Sequence, residues 1–154
     1  MKITFICTGN TCRSVMAEHI FKIKLKETPM HGKVEVGSAG TAAMPYYSIY
    51  GELKQVLEEN DIDFSDHRPR MVDLRIIEQS CLLLCMTERH IQEINLRFGV
   101  ENEKVRLLSD YAAGELKDIP DPMGRGVDAY RKVFKIIDEY LEKLKEKLEN
   151  EFKG

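Results

Sequence analysis

The sequence carries no apolar run of transmembrane length, no surplus of basic residues and few cysteines. Each absence closes off a class of function. A membrane-spanning helix needs about 20 consecutive apolar residues, so neither such a helix nor a membrane partner is expected. Lys and Arg number 23 against 26 Asp and Glu, a net charge of -3. With the two signs interspersed, there is no electrostatic case for a nucleic-acid partner. Four cysteines in 154 residues do not make a disulfide framework, and a chain this long buries a sizeable core without disulfides or metal. After Lys2 the apolar stretch Ile3-Thr4-Phe5-Ile6 is short and interrupted, unlike the centre of a secretory signal. We therefore expect a cytoplasmic protein with reduced thiols. Internal repeats and low-complexity linkers are also missing, which points to a single domain over residues 1–154.

What is present is an alternation of strands and helices, the pattern of an α/β domain on a parallel sheet. Residues 3–6 read as a first strand, and 15–26 as a helix with Ile20, Phe21 and Leu25 on one side, ended by Pro29 and Gly32. A short strand over 34–36 runs into Gly37-Ser38-Ala39-Gly40, whose glycines allow tight turning. Residues 41–50 form a loop with Pro45 and three tyrosines, after which Leu53, Val56 and Leu57 mark a helix ending near Asn60. The continuous apolar run from Ser80 to Met86 suits a strand buried on both faces, with Cys81 and Cys85 in the core. Thr87 caps a helix with Ile91, Ile94 and Leu96 as its apolar contacts and Gly99 as its stop. Residues 105–108 read as a fourth strand. The last helix, 128–152, carries Val133, Ile136, Ile137, Tyr140, Leu141, Leu144 and Leu148 at helical spacing. That row reads as core packing, and it is too short a heptad pattern to require a coiled coil, so a monomer is expected.

The chemistry concentrates in Cys7-Thr8-Gly9-Asn10-Thr11-Cys12-Arg13-Ser14, directly after the first strand. Gly9 and Asn10 tolerate unusual backbone angles, so successive N–H groups can curl inward as an anion-binding nest. The helix opening near Arg13 adds a partial positive N-terminus, and the guanidinium offers a rigid fork of donors to phosphate oxygens. The same field favours thiolate and makes Cys7 a nucleophile beneath a bound phosphorus. The plainer reading is a strand, a turn and two incidental cysteines. Against it, strand, Gly, Asn, Arg-Ser and helix fall in one consistent order. The segment Ile119-Pro120-Asp121-Pro122-Met123-Gly124 supplies the second half. Prolines on both sides of Asp121 stiffen its loop, and loops leaving the carboxyl ends of parallel strands converge on one crevice. Asp121 is thus the expected general acid, and afterwards the base.

Cys7 to Ser14, with Met16-Ala17-Glu18 after it, resembles the signature of the low-molecular-weight protein tyrosine phosphatase family, and more narrowly its bacterial protein-arginine-phosphatase branch. The resemblance spans nearly the whole chain, through Ser38-Ala39-Gly40, the Cys81–Thr87 segment and the Asp-Pro loop before the final helix. It implies an α/β domain with a four-stranded parallel sheet flanked by helices on both faces. It implies a cysteinyl-phosphate mechanism, phosphorylated proteins as substrates and inorganic phosphate as product. No metal or other cofactor is called for, because loop dipoles and Arg13 supply the charge stabilisation. Cys7, Arg13 and Asp121 take the catalytic roles, and Thr8, Gly9, Asn10, Thr11, Cys12 and Arg13 surround the phosphate. Asn10, Ser14 and Ser38 brace the loop, their short polar side chains being suited to satisfy its backbone groups. The resemblance also sets His67-Arg68-Pro69-Arg70 near the catalytic loop, with His67 and Arg70 as supporting residues at best. An exposed basic turn is the commoner outcome for such a segment.

Departures from the family pattern bear on substrate. Members commonly carry aromatics after the Asp-Pro pair, where this chain has Met123-Gly124-Arg125-Gly126. Tyr46 or Tyr47 can replace that wall, since an aromatic face accepts a flat phenol or guanidinium, or both can simply pack the loop. Thr11 stands where tyrosine-specific relatives have an aliphatic residue and arginine phosphatases a threonine. A small polar wall leaves room for a guanidinium that an alkyl group would desolvate. The lean is toward phosphoarginine, with phosphotyrosine as the alternative, and Thr11 as a mere packing residue stays open. Val15 replaces the usual proline, which loosens the helix start without touching the catalytic groups. Cys12 is close enough in sequence to form a disulfide with an oxidised Cys7, a reversible inactivation. Thioredoxin-coupled arsenate reductases share the fold and loop, but they relay a disulfide through later, mobile cysteines. Cys81 and Cys85, four apart in a strand, would be held apart, and no His or acid at ligand spacing makes them a metal site. A phospho-residue binding module needs neither Cys7 nor Asp121, so it ranks below an enzyme.

Overall fold

The computed structural model describes residues 1–49, 51–100 and 103–154. Strand β1 (Lys2–Cys7) lies inside a sheet of order β2-β1-β3-β4, with β2 at Glu35–Gly40, β3 at Leu82–Cys85 and β4 at Val105–Leu107. All three pairings are parallel, so each connection must cross back over a face of the sheet. The crossings are made by α1 (Arg13–Leu25) after β1, α2 (Gly51–Glu59) and α3 (Leu74–Gln79) after β2, and α4 (Glu88–Phe98) after β3. After β4 come α5 (Leu108–Ala113) and α6 (Val127–Lys153).

Alternate residues of β1 serve two cores, which is why the strand is apolar on both faces except at Thr4, whose hydroxyl pairs with Ser80 Oγ at 2.7 Å. Ile3, Phe5 and Cys7 join the larger core with α1, α2 and α6, whereas Ile6 packs with Ala39, Leu83, Cys85 and Ile94 in the smaller. Phe5 and Phe21 meet edge to face at 5.9 Å. The α6 row of Tyr130, Val133, Ile137, Leu141, Leu144 and Leu148 is buried within the chain. No helix among the described residues is long and apolar enough to cross a membrane.

The structure corrects several local expectations. Strand β2 runs through Gly37 to Gly40 instead of turning there. Cys81 precedes β3 and is exposed, while Cys85 is buried as expected. Leu96 is 89% exposed. It stands two residues past buried Ile94, and a helical step of two swings a side chain to the opposite face. Leu108 opens α5 rather than ending β4. Helices α3 and α5 have six residues each, too few turns to reveal a period. The Asp73 carboxylate caps α3 by accepting from the Ile76 N–H at 2.8 Å. Tyr50, third tyrosine of the loop over 41–50, lies outside the described residues.

Strand order reverses between β1 and β3, and a crevice opens at their carboxyl ends. Backbone bonds gather the remaining segments there. Thr41 N–H donates to the Cys7 carbonyl at 2.9 Å, Met86 N–H to that of Ile6 at 3.0 Å, and Ile119 N–H to that of Met86 at 2.9 Å. The last bond carries the Asp121 loop to the end of the central strands.

Candidate active site

Cys7 ends β1 and is 2% exposed. Asn10 adopts the left-handed conformation, φ +56°, that a nest requires and that few residues other than Gly, Asn and Asp accept. Gly9 does not share it. Instead Gly9 makes room, because a Cβ there would stand 3.3 Å from Thr11 Oγ1 and 3.8 Å from the Tyr47 ring. The strain at Asn10 is held by four hydrogen bonds. Its Nδ2 donates to Ser14 Oγ and Ser38 Oγ, both at 2.9 Å. Its Oδ1 accepts from the Arg70 N–H at 3.1 Å, and its carbonyl accepts from His67 Nε2 at 2.8 Å.

These bonds set a direction. Ser14 Oγ accepts from Asn10, so its own proton is free to point at Cys7 Sγ, 2.8 Å away. Ser38 likewise accepts from Asn10 and donates to Glu18 Oε1. Burial raises the Glu18 carboxyl, but bonds from Lys22 and Ser38 outweigh it and hold the group below the usual range. Helix α1 opens at Arg13 with no side-chain cap and no acid in its first turn, leaving its N–H groups and partial positive charge to the loop.

His67 lies where the sequence did not lead us to expect it. Expected on an exposed turn, its side chain is only 4% exposed and sits against the catalytic loop. Burial lowers its proton affinity, consistent with a neutral ring whose Nε2–H serves Asn10. The turn is basic in composition, yet its histidine points inward and only Arg68 and Arg70 reach solvent. Arg70 contributes its backbone alone: the N–H to Asn10 and the carbonyl to Gly40 N–H at 2.9 Å. Gly40 is pressed so closely against the loop that a Cβ would lie 2.3 Å from Thr8 O and 2.9 Å from Asn10 N. Both obstacles are backbone, so Gly40→Ala must displace the loop. The expected result is a loss of about 2 kcal/mol or more in urea unfolding, together with weaker phosphate binding.

Sequence reasoning also missed His90. It is buried on α4, and its Nδ1 accepts from the Thr87 N–H at 3.2 Å. The proton therefore sits on Nε2 and is donated to Thr8 Oγ1 at 2.9 Å. Burial, then the Arg13 charge, push the imidazole down to about 4 from its ordinary 6.5. Between these values the unfolded chain binds a proton that the folded one does not. His90 therefore contributes stability above pH 6.5 that is lost as pH falls toward 4, on the order of 3 kcal/mol. Urea unfolding at stepped pH should show the slope, and His90→Gln should flatten it. The only sequence signal was a polar residue three positions after a helix cap, where a capping box is closed.

Arg13 is buried and joins both halves of the site. Its Nη1 donates to the Ile119 carbonyl at 3.0 Å, and its Nη2 stands 4.0 Å from Asp121 Oδ2. Asp121 is 54% exposed, and its Oδ1 accepts from the Met123 N–H at 3.0 Å. Cys7, Thr8, Gly9, Thr11, Cys12, Arg13, Tyr46, Tyr47, Asp121 and Met123 line one cavity of about 570 Å³. Ser14 and Ser38 stand behind it with Asn10. Two larger hollows, about 850 and 700 Å³, lie elsewhere and contain no residue of the catalytic loop. Burial and the neighbouring Cys7 push the Cys12 thiol up, and Cys85 is raised by burial in the same way. Among the described residues, no three His, Cys, Asp or Glu side chains are grouped so as to hold a metal ion. A loop turned by left-handed Asn10 into an uncapped helix start, one buried guanidinium and an adjacent carboxyl can bind a tetrahedral dianion and exchange a proton with it.

Residues 2–153 match the model of the low molecular weight phosphotyrosine protein phosphatases. The chain belongs to this family. A protein-arginine-phosphatase of Bacillus subtilis is 34% identical over 151 residues, covering 98% of this chain and 99% of the relative. A low molecular weight protein-tyrosine-phosphatase, PtpB, of Staphylococcus haemolyticus is 35% identical, covering 87% and 90%. Among solved structures, the YwlE arginine phosphatase of Geobacillus stearothermophilus superposes with a TM-score of 0.88 at 34% identity, covering 97% and 94%. A YwlE mutant with a phosphorylated active-site serine gives the same TM-score at 35% identity, covering 96% and 95%. The family shares the four-stranded parallel sheet described above, and its named members are phosphatases, so this chain is a hydrolase of phosphorylated protein. Family membership leaves open which phosphorylated side chain is the substrate, because relatives of both kinds stand at equal distance.

Proposed function

We propose that the protein hydrolyses phosphoarginine in proteins, with Cys7 as nucleophile, Arg13 as the phosphate clamp and Asp121 as acid and base. The Cys7 thiolate attacks phosphorus in line, and the bond from phosphorus to the guanidine nitrogen breaks. Asp121 gives its proton to that nitrogen, releasing arginine. Arg13 and the N–H groups of residues 8–13 stabilise the equatorial oxygens. Asp121, now a carboxylate, takes a proton from water, whose oxygen attacks phosphorus. The sulfur–phosphorus bond breaks, and inorganic phosphate leaves with Cys7 restored. The phosphorylated serine of the YwlE mutant supports a nucleophile at the corresponding place in this scheme.

One observation carries the choice of arginine: Thr11 lines the cavity alongside Asp121. A hydroxyl and a carboxylate suit a polar, cationic leaving group, whereas an alkyl wall would strip its water without return. A second reading has its own observation. Tyr46 and Tyr47 pair edge to face at 5.3 Å on the cavity wall, a surface suited to a phenol ring, and Met123 offers an apolar contact. The test is kcat/KM on a phosphoarginine protein and a phosphotyrosine peptide side by side, with Cys7→Ser as the blank. Preference for phosphoarginine is expected; preference for phosphotyrosine would move the protein to the second reading with the same mechanism. Cys12 shares the cavity as a free thiol, in keeping with a reversible Cys7–Cys12 disulfide that mass spectrometry of oxidised protein would reveal.

A further inference from the structure

A second hollow, about 410 Å³, adjoins the catalytic cavity, and Tyr46, Tyr47 and Ser48 line both. The tyrosines form a ridge with the phosphate loop on one side and Phe64, Ser65 and Arg68 on the other. Among the described residues that line this hollow, Arg68 and His67 are the ionisable ones besides the two tyrosines, and no carboxylate is among them. Asp63 and Asp66 belong to a different hollow beside His19, where Asp63 accepts from the Ser65 N–H and Asp66 stands 3.9 Å from His19. His67 has no donor to spare, because its Nε2 serves Asn10 and its Nδ1 faces Glu18 at 4.0 Å. Arg68 is oriented by its own turn. Its Nη1 donates to the carbonyls of Ser65 and His67, at 3.2 and 2.8 Å, which uses both protons of that nitrogen. The edge formed by Nε and Nη2 is left over, and that edge fits the two oxygens of a carboxylate.

We propose that this hollow is a subsite for the carboxylate side chain of a residue next to, or two from, the phosphorylated one in the substrate protein. It rests on the phosphatase reading above and extends it to the flanking sequence. A substrate segment whose phosphorylated residue enters the catalytic cavity must cross the Tyr46–Tyr47 ridge, and its neighbour then descends toward Arg68. The aromatic ridge supports the backbone, and Arg68 selects the charge.

Matched phosphopeptides carrying Glu, Ala or Lys at one and two positions on either side of the phosphorylated residue test this. With the wild-type protein, Glu at one of these positions should raise kcat/KM over Ala by about three- to tenfold, mainly through KM. Lys should lower it. Arg68→Ala should equalise Glu and Ala, and Arg68→Glu should favour Lys, with p-nitrophenyl phosphate, which cannot reach the hollow, hydrolysed at the same rate by all three. Equal rates for Glu, Ala and Lys, or a Glu preference that survives Arg68→Ala, would overturn the subsite. A phosphoserine neighbour favoured tenfold or more over Glu would replace the carboxylate by a second phosphoryl group and equally overturn it. If nothing is hydrolysed, p-nitrophenyl phosphate included, the phosphatase reading fails instead. Calorimetry of Glu and Ala phosphopeptides on the Cys7→Ser protein still reads the subsite, with Glu expected to bind more tightly.

Discussion

Asp121→Asn should lower kcat on phosphorylated protein by about 10²- to 10⁴-fold, the usual worth of a placed general acid or base. The amide keeps the bond from the Met123 N–H and the shape of the loop, which the Ile119–Met86 and Arg13–Ile119 bonds fix independently. Binding should therefore survive. Removing a negative charge 4.0 Å from Arg13 should, if anything, tighten the affinity for inorganic phosphate, read as a lower inhibition constant. The two chemical steps can be told apart with p-nitrophenyl phosphate, whose leaving group departs without a proton. The first step then proceeds, and a burst of nitrophenolate equal to the enzyme present should precede slow turnover as cysteinyl-phosphate accumulates. A variant with full steady turnover would remove Asp121 from the mechanism. Cys7→Ala, which leaves no nucleophile, should show neither burst nor turnover.

Thr11→Ile should shift the ratio of kcat/KM for phosphoarginine over phosphotyrosine by about 10- to 100-fold toward tyrosine, the range expected for one added apolar group and one lost hydroxyl. Thr11 lines the same cavity as Asp121, Tyr46 and Tyr47, so its size and polarity act directly on the leaving group. Its Oγ1 is also the atom nearest a Cβ built on Gly9, at 3.3 Å, so the side chain stands directly against the phosphate loop. Loss of activity on both substrates in equal proportion would mean that Thr11 only packs the loop. Thr11→Ser, which keeps the hydroxyl, should retain the arginine preference and so separates polarity from bulk.

How far these expectations were visible in the chain depends on the range of the interaction. Strand β1 and helix α1 were legible because a buried parallel strand and an amphipathic helix write their periods into consecutive residues. Helices α3 and α5 were not, since six residues hold less than two turns. Leu96 is apolar yet exposed, because the buried face of α4 is set by His90 and Ile94. Gly40 ends β2 rather than making a turn, and the absence of its side chain matters because Thr8 and Asn10 lie against it.

The proposed catalytic trio, Cys7, Arg13 and Asp121, is legible in the sequence alone, and the structure brings the three to one cavity. A nucleophile, an anion-binding loop and a helix start must be contiguous, and the stiffened Asp-Pro loop announces itself by composition. The supports could not be read in that way. His67 and His90 stand 57 and 82 residues from the loop atoms they bond, and nothing in a linear order tells a buried, neutral histidine from an exposed one. Only the tertiary structure decides that Asn10 is held by four bonds from scattered partners and that Arg13 ties the Asp121 loop to the catalytic loop. Only it places Arg68 across a tyrosine ridge from the phosphate site. The physical reason is common to all of these: local sequence dictates period, turn and reactive group, while burial and directed hydrogen bonds arise when distant segments meet at the end of the sheet.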